Sequence, residues 1–316
     1  MRLFQADAIK GLSIALMVYG HVTFIGTYLM VQEDIAEFLG IFRMPIFLII
    51  SGFFSKYYRI NQFQKIMRMI AVPYVIFFTL YTVALIVAMK IGLSITNEPI
   101  TSISDYFFKL LFDPNGAFWY IHALIVLKVT YIFLYKIVKD NVYLLFLFAI
   151  LFAILFDHIQ FVALDNSTYF IIGVLIANMT NYKLAIEKKY LILFFPAFIY
   201  LFIFFNTEVH SFTFYEVEIN LLMFGLLWIV FTNMNMITRL FIYIGKNTLV
   251  ILLMHSLFLV SFKILNKYII MFDETGLLQS IVVTILTIVF SILMSKFFDY
   301  IKISQYIFGV DRIYKR

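Results

Sequence analysis

Long apolar runs dominate the chain. Ten of them approach the roughly 20 residues that a helix needs to cross the hydrocarbon core of a bilayer. The pattern therefore predicts an all-α fold, a polytopic transmembrane helix bundle of about ten helices. The sixth run is the least regular, because Asp165 and Asn166 interrupt its start. The runs lie at residues 8–30, 36–54, 70–90, 117–137, 142–157, 164–180, 190–206, 219–233, 241–262 and 277–298.

The composition agrees with lipid as the solvent of most side chains. Of the 316 residues, 64% are hydrophobic and 13% are charged, and the mean hydropathy is +0.99. A soluble domain is typically about half apolar and a quarter charged. The sequence has no cysteine, which excludes disulfides, thiolate metal sites and a cysteine nucleophile. No internal repeat or separate soluble domain is visible, so residues 1–316 are predicted to form one membrane domain.

The start of the chain resembles a secretory signal, since Arg2 and Lys10 precede an apolar run. No small-residue cleavage site follows, and the run is long enough to span. We therefore interpret it as a retained first helix.

The distribution of lysine and arginine predicts the orientation of the bundle. Ten helices place both termini on one side, and most of the 24 basic residues fall on that side, which the positive-inside rule makes cytoplasmic. Topology thus explains the net charge of +6, and no nucleic-acid partner is expected. The richness in Phe, Ile, Lys and Asn is typical of an AT-biased bacterial genome, and the predicted location is the cytoplasmic (inner) membrane of a bacterium. The longest outer segment, about 91–116, is predicted to cap or re-enter the bundle. The basic residues outside the cytoplasmic segments are Lys90, Lys109, Lys263 and Lys267 on the outer side, and Lys10, Arg43 and Lys128 within runs.

Lys10 and His21 are ionisable residues of the first run, and such residues are functional candidates by default. They are eleven positions apart, so a continuous helix places both on one face, separated by about 16 Å along its axis. Lys10 is then expected near the cytoplasmic surface and His21 in the outer half of the bilayer. The alternatives are a snorkelling Lys10, paired with Asp7, and a structural hydrogen bond of His21.

Arg43 and His255 are predicted at the depth of His21. Each lies about seven residues below the outer end of its run, and Pro45 frees a backbone carbonyl close to Arg43. Three ionisable groups at one level indicate a shared site. A histidine there can accept and return a proton near neutral pH.

The cytoplasmic ends carry candidates for anion binding. Lys65 and Arg68 are three residues apart at the start of the third run, so both can face one anion. A basic segment that binds lipid headgroups is the alternative. For Ser51 and Gly52, two small residues in a row, close helix approach is the alternative to a ligand contact.

Trp119 and Tyr120 begin the fourth run from the outside, where an aromatic belt is expected. His122 lies just inside them, and its role stays open between structure and function.

Taken together, these stretches resemble the integral-membrane acyltransferases of family 3, and most closely the sugar O-acetylase branch that includes the fucose 4-O-acetylase-like proteins. The match is specific because order and spacing agree along most of the chain. There are departures from the pattern of that branch: Arg43 replaces a frequent histidine, and Tyr120 replaces a phenylalanine. The matching residues are Asp7, Lys10, Gly11 and His21; Phe42, Met44, Pro45, Phe47, Ser51 and Gly52; Lys65, Arg68, Pro73 and Tyr74; Trp119 to Leu124; and Ile244 to His255.

The resemblance implies transfer of an acyl group, usually acetyl, from cytoplasmic acyl-CoA to a hydroxyl of a glycan or lipid-linked sugar. It implies acetyl-CoA as co-substrate, no metal, and His21 as the general base. Our own inference adds that Arg43 or His255 stabilises the oxyanion or orients His21. The remaining assignments are Lys10, Lys65, Arg68 and Ser51 to the CoA donor, and Trp119 and His122 to the acceptor.

A transporter or flippase for a glycan or lipid precursor is the main alternative, because intramembrane charges also mark substrate pathways. The chain has 12 glycines, five prolines and no visible repeat, which argues against alternating access. An inactive scaffold of a polysaccharide-synthesis complex is a further alternative. The acceptor, the acyl length and the oligomeric state are left open.

Overall fold

A computed structural model describes residues 3–22, 29–55, 61–92, 100–138, 141–180, 184, 186–204, 214–233, 235–265, 268 and 271–315. These residues contain helices and no strand, which confirms the all-α prediction, and each apolar run overlaps at least one helix. The helices are α1 (Phe4–Gly20), α2 (Leu29–Phe53), α3 (Asn61–Ile66), α4 (Val72–Lys90), α5 (Ile103–Leu111), α6 (Phe118–Val138), α7 (Val142–His158), α8 (Leu164–Thr180), α9 (Leu191–Phe204), α10 (Phe214–Val230), α11 (Met236–Lys246), α12 (Thr248–Phe262), α13 (Leu277–Tyr300) and α14 (Ser304–Ile307). Met67–Ala71 is a π-helical turn, and Lys188–Tyr190 and Lys263–Leu265 are 3₁₀ turns.

Among the described residues, four helices are long and apolar enough to cross a membrane, and a bent pair raises the number to as many as five. The number of about ten spans and the cytoplasmic position of the termini stay predictions. The four are Glu33–Phe53, Gln62–Lys90, Phe118–Val138 and Leu277–Tyr300, and the pair is Met236–Lys246 with Thr248–Phe262.

The first helix is shorter than predicted. α1 ends at Gly20, and the amide of His21 donates to the carbonyl of Val18 at 3.1 Å, a tight closing turn typical of helix ends. His21 therefore follows the helix and does not lie within it. Residues 23–28 are outside the described part of the chain, and α2 already begins at Leu29.

The ninth run was predicted to be one helix, and this is wrong. The helix is interrupted at Asn247: α11 ends at Lys246 and α12 begins at Thr248. The side-chain amide of Asn247 donates to the carbonyl of Lys315 and accepts from its N–H, each at 2.9 Å. Asn247 is 2% exposed. A buried amide satisfied by a second segment stabilises the break, which the run of apolar residues does not reveal.

The chain forms two compact units. Unit 1 contains Met1–Ser13, Gly40–Ile60 and Leu127–Lys246, and unit 2 contains Ile14–Leu39, Asn61–Val126 and Asn247–Arg316. α1, α2 and α6 contribute residues to both.

Unit 1 is held together by helices that approach at glycine. A Cβ atom on Gly52 would overlap the carbonyl oxygen of Phe170, and one on Gly173 would overlap that of Ile49. α2 and α8 therefore pack backbone against backbone, as small residues permit in membranes. This is the close approach that the sequence suggests for Gly52. Elsewhere in the unit, α7 packs on α8 and α9 on α10.

A buried amide links three helices of unit 1. Asn220 is fully buried on α10, and its Nδ2 lies 3.1 Å from the carbonyl oxygen of Ile41, 3.1 Å from the hydroxyl of Tyr169 and 2.8 Å from the carbonyl of Glu216. These contacts tie α10 to α2 and α8.

In unit 2, α12 packs against α4 and α13. One side of α13 consists of small polar residues that are fully buried, and Ser291 returns its hydroxyl to the carbonyl of Thr287 at 2.7 Å. Ser280 and Ser295 likewise donate to the carbonyls of Leu277 and Ile292, and such small side chains allow close helix packing. The residues of that side are Ser280, Thr287, Ser291 and Ser295.

The predicted outer segment holds a helix of its own. α5 begins after Ser102, whose hydroxyl accepts the amide of Asp105 at 3.0 Å. Its last turn is fixed by Tyr74, whose hydroxyl donates to the carbonyl of Leu110 at 2.6 Å. Residues 93–99 of this segment, and Lys267 of the next, lie outside the described residues.

Candidate functional site

Two histidines meet in unit 2. The ring centroids of His21 and His255 are 5.7 Å apart, at an interplanar angle of 37°. His21 is exposed in the turn after α1, whereas His255 lies in the middle of α12 and is fully buried. The exposed imidazole of His21 thus lies next to the buried imidazole of His255.

The hydrogen bonds of His255 define which of its nitrogens carries a proton. Nδ1 lies 2.9 Å from the carbonyl oxygen of Ile251, one turn earlier on the helix. A carbonyl only accepts, so Nδ1 must donate, and in the neutral ring Nε2 is then an acceptor. The hydroxyl of Ser256 is 3.5 Å from Nε2, at the limit of a hydrogen bond. His255 therefore offers a lone pair.

This arrangement suits proton transfer by His21. The distance between the two rings is compatible with a hydrogen-bonded link through one water molecule. If one nitrogen of His21 donates to this link, the other nitrogen of the neutral ring is an acceptor. A base oriented by a second group is a recurring arrangement in acyl transfer.

Lys65 and Arg68 are both exposed in unit 2, Lys65 on α3 and Arg68 in the π-helical turn. A Cβ on Gly309 would come within 2.6 Å of Cγ and Cδ of Arg68 and 2.7 Å of its Nε. Arg68 thus rests on the C-terminal segment, where Gly309 has a positive φ of 65°. The sequence patterns gave no sign of this contact.

Three candidates belong to unit 1. The ammonium of Lys10 lies 4.2 Å from the ring centroid of Phe54, a cation–π contact that the sequence did not predict. Arg43 is half-buried on α2. Ser51 is 8% exposed, and its carbonyl accepts the hydroxyl of Ser55 at 2.8 Å.

The aromatic candidates lie at the start of α6. Trp119 is half-buried and packs edge-to-face on Tyr120, with centroids 5.9 Å apart. His122 is buried, and its Nε2 donates to the carbonyl of Leu111 at 2.8 Å, which fixes the end of α5. The hydrogen bond gives His122 a structural role. Its contact with the acceptor substrate stays a prediction.

No three His, Asp or Glu side chains of the described residues form a group that could hold a metal ion. Apolar helices of spanning length indicate a multi-pass membrane protein, and the histidine pair is its candidate site.

Comparison with known families names the class of chemistry. The family model described as "Acyltransferase domain" matches residues 4–296, nearly the whole chain. The chain belongs to this family, the acyltransferase family 3 that its motifs resemble, and is a membrane acyltransferase. No curated protein and no solved structure matches it.

Proposed function

We propose that this protein is an O-acyltransferase that moves an acetyl group from cytoplasmic acetyl-CoA to a hydroxyl of a cell-surface glycan or lipid-linked sugar. The precursor of an O-antigen, a capsule or an exopolysaccharide is the proposed acceptor, and the inner membrane of a bacterium the proposed location. The pairing of His21 with His255 carries the proposal, because it supplies an oriented base in a family of acyltransferases.

His21 is the proposed general base. It takes the proton of the acceptor hydroxyl while the oxygen attacks the thioester carbonyl. The tetrahedral intermediate then expels the CoA sulfur, which takes the proton back from His21. One ester bond forms, one thioester bond breaks, and the base ends as it began.

His255 is a positioning residue in this scheme. The sequence left open whether it stabilises the oxyanion or orients His21. Because its Nδ1 proton is donated to Ile251, the neutral ring has no proton left for an oxyanion, but it has an acceptor for His21. This favours the orienting role.

The donor phosphates are assigned to Lys65 and Arg68, two exposed cations separated by three residues. The assignments of Lys10, Ser51 and Arg43, and those of Trp119 and His122, stay predictions.

Glycan mass spectrometry tests the function. Cells that lack the gene are expected to lose one acetyl mass per repeat of a surface glycan, and His21→Ala is expected not to restore it. His158→Ala, at an exposed histidine that ends α7, is the matched control and should restore it. Near-normal acetylation with His21→Ala would contradict the mechanism. Loss of the whole glycan, with acetylation of the residual material intact, would favour a flippase.

The role of His255 is tested by the pH profile of CoA release. His255→Leu should lower kcat, leave the KM for acetyl-CoA unchanged and displace the acidic limb of the profile, which reports the pKa of the general base, whereas His255→Gln, which retains an acceptor, should recover part of the rate. A proportional loss of rate at every pH in both variants would indicate a merely structural role.

The donor contact is tested by Lys65→Ala combined with Arg68→Ala. The double variant should raise the KM for acetyl-CoA, because two charge-assisted contacts are removed. Arg239→Ala, at an exposed arginine of α11, is the control for surface charge. An unchanged KM would support the alternative of lipid headgroups.

A further inference from the structure

A polar cleft of about 650 Å³ opens at the end of α13, beside the C-terminal segment that follows α14. It lies within unit 2, and the mechanism above does not use it. The volume is in the range of small-molecule sites. Its lining residues are Lys296, Asp299, Tyr300, Arg312 and Tyr314.

Asp299 holds the C-terminal segment against α13. Its Oδ1 accepts the amide of Ile313 at 2.8 Å and the hydroxyl of Ser304 at 2.6 Å, and its Oδ2 accepts the amide of Tyr314 at 3.0 Å. The two hydrogen bonds between Asn247 and Lys315, the residue after Tyr314, hold the same segment. Both oxygens of the carboxylate are thus engaged by donors on the protein.

Apolar contacts fix the same segment on either side of Arg312. Phe308 is fully buried with its ring 6.2 Å from that of Phe77, and Ile313 is 4% exposed. Arg312 itself is exposed. The wall of the cleft is therefore a firmly packed segment that presents a guanidinium outward.

The chemistry of the cleft suits a phosphate attached to a planar base. Lys296 and Arg312 supply two cations against the single carboxylate of Asp299, whose oxygens accept three hydrogen bonds from the protein. The ammonium of Lys296 lies 4.8 Å from the ring centroid of Tyr314, and the phenol of Tyr300 is 85% exposed. Exposed aromatic faces stack on nucleobases.

The segment also connects the cleft with the cations assigned to the donor. Arg68 rests on Gly309, three residues before Arg312. Arg68 and the cleft therefore lie along one short, packed stretch of backbone.

We propose that this cleft binds the adenosine 3′,5′-bisphosphate end of the acyl-CoA donor. Arg312 and Lys296 contact the 3′-phosphate, and Tyr300 packs on the adenine. The inference rests on the proposed function, since it extends the donor site from Arg68 to the C-terminal segment.

Calorimetric titration of the full chain in nanodiscs of phosphatidylcholine tests the assignment, with CoA and 3′-dephospho-CoA as the two probes. The wild type should bind CoA about 10-fold or more tightly than 3′-dephospho-CoA, as expected for a charge-assisted contact. Arg312→Gln and Lys296→Gln should each reduce this preference, and the double variant should abolish it. Arg239→Gln, which removes one exposed arginine elsewhere, should keep it in full.

The outcomes separate this inference from the function on which it rests. If the wild type and the double variant both bind CoA and prefer it over 3′-dephospho-CoA to the same degree, the cleft assignment is overturned. The acyltransferase proposal then stays intact. Equal wild-type affinity for both probes also overturns it. No binding of CoA by the wild type refutes the use of the donor itself. If the double variant instead loses only copurified phosphatidylglycerol and keeps its preference for CoA, the cleft is a lipid-headgroup site and the proposal fails.

Discussion

Gly11→Ala is expected to destabilise unit 1 by forcing α1 away from α11. A Cβ atom on Gly11 would overlap the carbonyl oxygen of Phe241, and it would lie 2.8 Å from the carbonyl carbon of that residue and 2.9 Å from the amide nitrogen of Gly245. Gly245 meets the backbone of Asp7 in the same way. Since every atom involved is backbone, no side chain can rotate aside, and the helices must separate.

The size of the effect follows from the packing that is lost. A gap of about 0.5–1 Å forfeits a quarter to a half of the attraction between facing atoms. For a patch the size of a buried leucine, with roughly 40–60 atom pairs at about 0.1–0.2 kcal/mol each, the loss of a quarter is about 1–3 kcal/mol. Overpacked cores show a penalty of the same size, about 1–3 kcal/mol.

Gly40→Ala is the matched control. It is also a glycine of unit 1 in a helix, but the nearest atom to an added Cβ is Nη2 of Arg43, at 3.9 Å and at the end of a flexible side chain. Both variants gain the helix propensity of alanine, about 1 kcal/mol, so their difference isolates the overlap.

Unfolding by dodecyl sulfate in mixed micelles, followed by the fluorescence of the buried Trp228, measures the free energy of unfolding for both variants. Gly11→Ala should be less stable than Gly40→Ala by about 1–3 kcal/mol. Equal stability of the two variants would refute the close approach of α1 and α11.

Three further predictions concern single contacts of unit 2. Asn247→Ala should lower the Tm and speed hydrogen exchange in the C-terminal segment, because it removes two bonds worth about 0.5–1.5 kcal/mol each; unchanged exchange would contradict the attachment. Tyr74→Phe removes the donor to Leu110 and should cost about 1 kcal/mol, with faster exchange in α5 but not in α7. The hydroxyl of Thr275 donates to the carboxylate of Asp273, just before α13, and lowers the pKa of that carboxyl. The stability that this hydrogen bond supplies is therefore present above the unfolded pKa of about 4 and is lost as the pH falls through the folded pKa. Asp273→Asn should remove this acid-dependent part of the Tm, and identical pH profiles would contradict it.

The helices could be predicted because a membrane span depends on length and hydrophobicity alone. α4, α6 and α13 follow the apolar runs to within a few residues for that reason. The break at Asn247 could not be predicted, since its cause is the backbone of Lys315, far along the chain. The end of α1 at Gly20 was missed because the apolar residues continue past it.

The site was predictable in its residue types more than in its geometry. Ionisable residues in apolar runs pointed to His21 and His255, but nothing in the sequence measures the 5.7 Å between their rings. The tautomer of His255 depends on a carbonyl one turn away and likewise becomes visible only in three dimensions. Arg312 gave no signal at all, because an arginine near a chain end resembles an ordinary topological charge.

The π-helical turn at Met67–Ala71 lies between α3, which carries Lys65, and α4. Such a turn holds one residue more than an α-helical turn. Because the wider turn takes up its extra residue within about one turn, the loss of one residue here would regularise the helix and leave Lys65 on nearly the same side of the axis of α4. The loss of one residue from a regular part of α4 would instead rotate Lys65 by about 100° relative to the residues beyond the deletion. Met67–Ala71 is therefore a place where the helix can change its length by one residue while the lysine proposed to contact the donor keeps its direction.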